Sequence, residues 1–259
     1  MAQYLKTEVY ENGIVRVIIA NPPVNALNSD MERELNEMTE RLEHDKEARV
    51  LIVTGAGEKS FMAGADLDEL AARDRITGRE QTKFRQSIYD RLSGLPVPSI
   101  AAVNGYCLGA GLELILACDI RIASDNAKFA AAEINLGIIP GNGGTQRLPR
   151  MIGQGRAMHM VLTGDRIGAD QALEWGLVTD VVPQAELGKA AYVIAEKLAD
   201  KSPLAIQYAK DAVGHSLNMP LHDGLMMESY LHALACASDD KSEGVSAVKE
   251  KRKPAYSGK

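Results

Sequence analysis

The spacing of apolar and polar positions divides the chain into short β segments and longer helical ones. Residues 8–20, EVYENGIVRVIIA, read as a hairpin whose β-rich flanks enclose Asn12-Gly13, a pair suited to a type I′ turn. Asn21-Pro22-Pro23 then breaks the second strand. Ser29-Asp30-Met31-Glu32 reads as a capping box that opens a helix running to about Lys46. Residues 49–54, RVLIVT, form a continuous apolar run, as expected of a strand covered on both faces. The loop GAGEKSFMAGAD follows, and helical pattern resumes over 67–72 and from about 78 to 92. After Pro96-Val97-Pro98, residues 99–103 (SIAAV) make a second buried strand, which runs into the loop NGYCLGAG and the helix LELILAC.

Further on, residues 119–123 and 128–131 read as short strands, and glycines and prolines punctuate 137–149. Helical segments fill 153–162 and 168–175, with a strand near 178–182. From Glu186 the pattern is helical, with joints at Ser202-Pro203, Met219-Pro220 and Asp239-Asp240. No internal repeat of fixed period stands out. The predicted organisation is an α/β core over residues 1–200 and a small all-helical region over 201–259, ending in the basic run KEKRKPAYSGK.

Composition narrows the function classes. With 259 residues, 46% apolar and 25% charged, the chain resembles an ordinary globular protein. A chain of this length buries roughly 75% of its unfolded surface, so it needs no disulfide or structural metal. The net charge of −6 argues against nucleic acid as a partner, and the 5% aromatic content leaves few stacking platforms. Cys107, Cys118 and Cys236 form no CxxC pair and no ligand pattern with the five histidines; free thiols in a reducing, cytoplasmic setting are expected. The amino-terminal MAQYLKTEVY lacks a signal core, and the longest apolar stretch, 100–118, is interrupted by Asn104, glycines and Glu113, so no membrane span is expected.

Several common motifs are missing. No G-x-G-x-x-G follows a strand, and there is no H-E-x-x-H or G-x-S-x-G. Gly55–Ser60 resembles the end of a phosphate loop, but Glu58 stands where glycine must precede the lysine. Ser238-Asp239-Asp240-Lys241 matches S-x-x-K, yet its place at a helix joint favours an N-cap.

Two segments carry more. Phe61-Met62-Ala63-Gly64-Ala65-Asp66 and Asn104-Gly105-Tyr106-Cys107-Leu108-Gly109-Ala110-Gly111-Leu112-Glu113 each follow a buried strand and lead into a helix. If those strands are parallel, both loops lie at one sheet edge, where ligands bind in such folds. Free N–H groups at helix starts favour negative charge, and two converging would make an oxyanion hole. Either loop alone reads first as a tight turn between packed elements. Glu113 lies in the apolar run LELIL, where burial would raise its pKa toward neutrality; a structurally paired buried acid is the other reading. Glu133 is a second acid in a nearly charge-free stretch, 129–140, and reads either as a partner acid or as a helix cap.

At these residues the sequence resembles the crotonase superfamily of enoyl-CoA hydratases and isomerases. The likeness spans essentially the whole chain: Asn25-Ala26-Leu27-Asn28, the AGAD loop, NGYCLGAGLEL, Ala117–Ala123, Glu133, Gly137–Leu148 and the terminal Glu250-Lys251-Arg252-Lys253-Pro254. The resemblance implies a spiral of ββα units with a C-terminal all-helical oligomerisation region, assembled as a homotrimer or dimer of trimers. It implies a lyase that adds water to a 2-enoyl-CoA in fatty acid metabolism of the β-oxidation kind, with no cofactor beyond the CoA of the acyl-CoA substrate. Glu113 and Glu133 would be the catalytic glutamates, holding one water between them. The backbone N–H groups of Ala65 and Ala110 would form the oxyanion hole, and Gly141 would line the same pocket. Val24, Ala26, Leu27, Ala63, Asp66 and Leu67 would contact CoA, with Leu108, Ala132 and Lys251 also counted among the substrate contacts. Met62, Leu70, Ile76 and Tyr89 are candidates for the acyl wall. Retention of both glutamates favours hydration; a 3-enoyl-CoA isomerase or a hydratase of a cyclic ene-carboxyl-CoA is the alternative. Three positions depart from the family's habit. Ala110 replaces the middle glycine of a triplet, Ala132 the proline before the second glutamate, and Val248 a phenylalanine of the tail.

Overall fold

In a computed structural model, which describes residues 3–259, the apolar runs become strands shared between two sheets. Met1 and Ala2, the start of the segment read for a signal core, lie outside the described residues. The hairpin β1 (Leu5–Val9) and β2 (Ile14–Ile19) is antiparallel, with Val9 opposite Val15. Its turn differs from the two-residue type I′ form expected. Gly13 N–H donates to Tyr10 C=O at 3.0 Å and Tyr10 N–H donates to Ile14 C=O at 2.9 Å, with Gly13 at φ +76°. This is a three-residue loop closed by a left-handed glycine. A Cβ at Gly13 would lie 2.5 Å from the Glu47 carbonyl oxygen, so glycine is required twice over.

From β2 the large sheet continues in parallel through β3 (Val50–Gly55), β5 (Ser99–Val103), β7 (Ile120–Ser124) and β10 (Asp180–Val182). Every residue of β3 and β5 is buried, which explains their unbroken apolar runs. The smaller sheet holds β4 (Ser60–Ala63), β6 (Tyr106–Leu108) and β8 (Lys128–Ala130) in parallel, with β9 (Ile167–Gly168) antiparallel to β8. β4 and β6 fall inside the two segments read above as loops. They are four and three residues long, too short to display an alternation.

The connectivity repeats. β3 in the large sheet is followed by β4 in the small one, then by α2 (Leu67–Ala71) and α3 (Arg75–Ser93). β5 is followed by β6 and α4 (Ala110–Ile115). β7 is followed by β8, a 3₁₀ turn (Ala132–Leu136), α5 (Gly144–Ile152) and α6 (Gln154–Thr163). This is the ββα spiral that the resemblance implied. After α7 (Ala169–Glu174) and β10, helix α8 (Leu187–Ala199) lays Leu187, Ala191 and Ala195 on the outer face of the large sheet against Ile14, Val50 and Ile100.

Helix α1 (Ser29–His44) begins one residue earlier in its capping than expected. Asn28, not Ser29, accepts from Met31 N–H at 2.8 Å. Ser29 instead donates through N–H and Oγ to Glu69, and Glu32 is buried against Arg85. Beyond residue 200 come α9 (Pro203–His215), α10 (Leu221–Ala237) and α11 (Asp239–Glu250). Ser238 caps α11 by accepting from Lys241 N–H at 3.1 Å, so the S-x-x-K match is an N-cap. The last residues fold back along α11, and Asp239 N–H donates to the Lys259 carbonyl at 2.7 Å. Among the described residues, no helix is long and apolar enough to cross a membrane.

Candidate active site

The site grows from two junctions, β4 to α2 and β6 to α4. At each, a glycine of positive φ precedes an alanine: Gly64 (+85°) before Ala65, and Gly109 (+51°) before Ala110. A Cβ placed on Gly109 would lie 3.6 Å from Gly64 Cα and 3.1 Å from Glu133 Oε1, so the two turns and one glutamate meet at this point. Neither Ala65 N–H nor Ala110 N–H donates to another described residue. Ala110 opens α4, where the first amides have no acceptor within the helix. The peptide of Ala65 is clamped from behind: Leu27 N–H donates to Gly64 C=O at 2.9 Å, and Asp66 N–H to Leu27 C=O at 2.8 Å. Helix α4 sits directly on β4 because Gly111 has no side chain; a Cβ there would be 2.2 Å from the Met62 carbonyl oxygen.

Glu113 lies one turn into α4 and is 2% exposed. Its Oε1 accepts from Asn142 N–H at 2.7 Å and Gly144 N–H at 2.9 Å, and its Oε2 accepts from Asn142 Nδ2 at 2.5 Å. Burial raises the pKa of this carboxyl; the three donors oppose that shift without cancelling it. Glu133, in the 3₁₀ turn, is placed differently. Its Oε2 is buried with no hydrogen-bond partner, and burial together with the nearby Glu113 charge pushes its pKa up to about 7. Two carboxyls therefore share one cavity in unlike environments, the arrangement that separates an acid from a base.

That cavity has a volume of about 230 Å³. Of the residues singled out in the sequence, Ala63, Ala65, Leu67, Leu108, Ala110, Glu113, Ala132, Glu133 and Gly141 line it. Val24, Ala26, Leu27, Asp66 and Lys251 do not. Leu27 is wholly buried and holds the Ala65 turn through its backbone, so it has no surface for CoA. Val24 C=O accepts from Ala63 N–H and Ser60 Oγ, Ala26 C=O accepts from Asn21 Nδ2, and Asp66 caps α2. These residues build the loop's support. Lys251 ends α11 in a left-handed conformation, and its basic neighbours are engaged: Arg252 with Glu243 and Glu250, Lys253 with Asp200. Of the four acyl-wall candidates only Leu70 faces the cavity. Met62 and Tyr89 are core residues, Tyr89 donating from its hydroxyl to the Ala110 carbonyl at 3.3 Å, and Ile76 lies outside on α3.

Sequence reasoning missed Asn142, which organises Glu113 through both backbone and side chain, and the apolar wall of Leu136, Ile138 and Ile139. It also missed Arg73 and Arg85 on the cavity wall. Arg85 is buried and donates from Nε to Glu32 Oε1 at 2.6 Å, while Gln81 Nε2 donates to the same carboxylate at 3.0 Å. Nothing in the local sequence pattern separates this buried pair from an exposed one. Among the described residues, no group of three or more His, Cys, Asp or Glu side chains could hold a metal ion.

Residues 9–259 match the family model for enoyl-CoA hydratase/isomerase. A short-chain-enoyl-CoA hydratase from Clostridium acetobutylicum is 42% identical over 94% of both chains. A 2,3-dehydroadipyl-CoA hydratase from Escherichia coli is 43% identical over 95% of this chain and 96% of its own. The crystal structure of an enoyl-CoA hydratase from Bacillus anthracis superposes with a TM-score of 0.96 at 41% identity, covering 99% of this chain and 100% of that one. Likeness over nearly the whole length, in sequence and in fold alike, shows that the chain belongs to the enoyl-CoA hydratase/isomerase family, within the crotonase superfamily.

Proposed function

We propose that the protein is an enoyl-CoA hydratase, a lyase that adds water across the 2,3 double bond of a 2-enoyl-CoA to give a 3-hydroxyacyl-CoA. The observation that carries this reading is the meeting of two undonated amides, Ala65 and Ala110, with two unlike buried carboxyls in one cavity. The amides hold the thioester oxygen, on which negative charge develops as the enolate forms. Glu113 is the base. Its three donors suit the ionised form, and it takes a proton from the bound water as the water oxygen bonds Cβ. Glu133, titrating near 7 with a free Oε2, is the acid that delivers a proton to Cα. Solvent exchange then moves the proton from Glu113 back to Glu133 and resets the pair. Both carboxyls have work in hydration, whereas moving a double bond needs only one to shuttle a proton; the pair therefore supports hydration over isomerisation.

The reaction requires no cofactor beyond the CoA of its substrate, and it suits the hydration step of a β-oxidation sequence. Residues 201–259 form the oligomerisation region of the 1–200 core. Leu221, Leu225, Tyr230 and Leu234 leave α10 with exposed apolar side chains on more than one of its faces, which suits packing in a homotrimer or dimer of trimers. Three free cysteines suit a reducing cytoplasm. Hydration of crotonyl-CoA, followed by loss of the conjugated thioester absorbance, is the test. Glu113→Gln and Glu133→Gln should each lower kcat by about 10²–10⁴ while acyl-CoA binding persists. Full turnover in either variant would overturn the mechanism.

A further inference from the structure

Arg73 occupies the short link between α2 and α3, its N–H donating to Leu70 C=O at 3.1 Å. Its Nε and Nη2 are buried and have no hydrogen-bond partner. Arg73 is half-buried as a residue, but on this edge its guanidinium gives up hydration with nothing in return, and it stays charged at any accessible pH. The carboxylates whose fields reach it are those of Glu32, Glu69 and Asp66, and each is engaged elsewhere. Glu32 is held by Arg85 and Gln81, Glu69 accepts from Ser29 N–H and Oγ, and Asp66 accepts from Asp68 and Glu69 N–H. Arg85, the cation nearest in effect, repels it.

The position of Arg73 gives these donors a direction. It lines the catalytic cavity of about 230 Å³ and also the adjoining open recess of about 1080 Å³. Leu67, Leu70, Leu136, Ile138 and Ile139 line both spaces beside it. An acyl chain lying along this wall meets one cation with two free donors. A methyl-ended chain would leave those donors buried and unsatisfied, whereas a carboxylate accepts from both in the paired geometry that arginine favours.

We infer that Arg73 is a specificity residue that binds a carboxylate at the far end of the acyl chain, so that the preferred substrates are 2-enoyl-CoA thioesters of dicarboxylic acids. This rests on the hydratase reading above and names its substrate class.

The test compares hex-2-enoyl-CoA with the mono-CoA thioester of hex-2-enedioic acid, which share a chain length and differ in the terminal carboxylate. The wild-type enzyme should favour the carboxylated thioester in kcat/KM. In Arg73→Met the ratio of the two kcat/KM values should fall by about 10- to 100-fold, the worth of a charge-assisted hydrogen bond. Arg73→Lys should recover part of it. A ratio unchanged in Arg73→Met overturns the inference; an equal fall on both substrates overturns it too, and assigns Arg73 to the shared CoA portion. Calorimetric binding of the saturated pair, hexanoyl-CoA and the mono-CoA thioester of adipic acid, repeats the comparison without turnover. If neither enoyl thioester is hydrated, the hydratase reading fails while this binding ratio still decides the role of Arg73.

Discussion

Replacing Glu133 by glutamine separates the folding cost of the site from its chemistry. The Glu133 carboxyl titrates at about 7 against an ordinary 4.5, chiefly because it is buried and secondarily because Glu113 is close. An acid whose folded pKa lies above its unfolded one binds more protons when folded between the two values. Its contribution to stability is therefore intact below about 4.5, declines as the pH rises to about 7, and stays lost above. At 1.36 kcal/mol per pKa unit the shift corresponds to at most about 3 kcal/mol at pH 8, and partial contact with solvent brings the expected value to about 1–3 kcal/mol. Glutamine keeps the shape and carries no charge at any pH. Glu133→Gln should thus be more stable than the parent at pH 8 and nearly equal to it at pH 5. Calorimetric melting at fixed protein concentration over that range would show the gap in Tm widening by several degrees, alongside a large loss of crotonyl-CoA hydration. A variant that is less stable than the parent at pH 8, or a Tm gap independent of pH, would refute the buried-acid account of this residue.

Three other substitutions probe the supports of the site. Glu32→Gln strips the buried Arg85 of its ion partner and should destabilise the protein by about 3–5 kcal/mol, read from urea unfolding. Gly111→Ala places a methyl 2.2 Å from the Met62 carbonyl oxygen and must lift α4 from β4, carrying the Ala110 amide out of line; kcat should drop about 10²–10³-fold, as for loss of an oxyanion donor. Asn142→Ala removes one donor that favours the charged form of Glu113, so its pKa rises further, and the acid limb of the kcat profile should move to higher pH.

The two glutamates were legible because an acid inside an apolar helix or loop departs from the usual partition of charge, and that departure survives in one dimension. The buried strands β3 and β5 were legible for the matching reason, as runs without polar breaks. Other features have no such local signature. Ser29 and Glu32 satisfy the spacing of a capping box, yet the hydroxyl serves Glu69 and the carboxylate serves Arg85, fifty-three positions away. Spacing alone cannot distinguish an acid that caps its own helix from one that pairs with another helix. The same holds for the edge on which the site was placed. The parallel pairing of β3 with β5 was the expected premise, but the glycine turns leave the ends of β4 and β6, which pair in the second sheet. The turns still converge, because parallel pairing of β4 with β6 repeats the order of β3 and β5 one layer away. Arg73 marks the limit of this legibility. In Leu70-Ala71-Ala72-Arg73-Asp74 it reads as a solvated link between helices, with an acid beside it to satisfy it. Asp74, however, turns its side chain to the Ile76 and Thr77 amides as the cap of α3, and the other acids within reach have closer partners. What makes Arg73 a candidate for recognition is therefore no property of its own segment but the prior engagement of every neighbouring carboxylate, and only the packed structure carries that information.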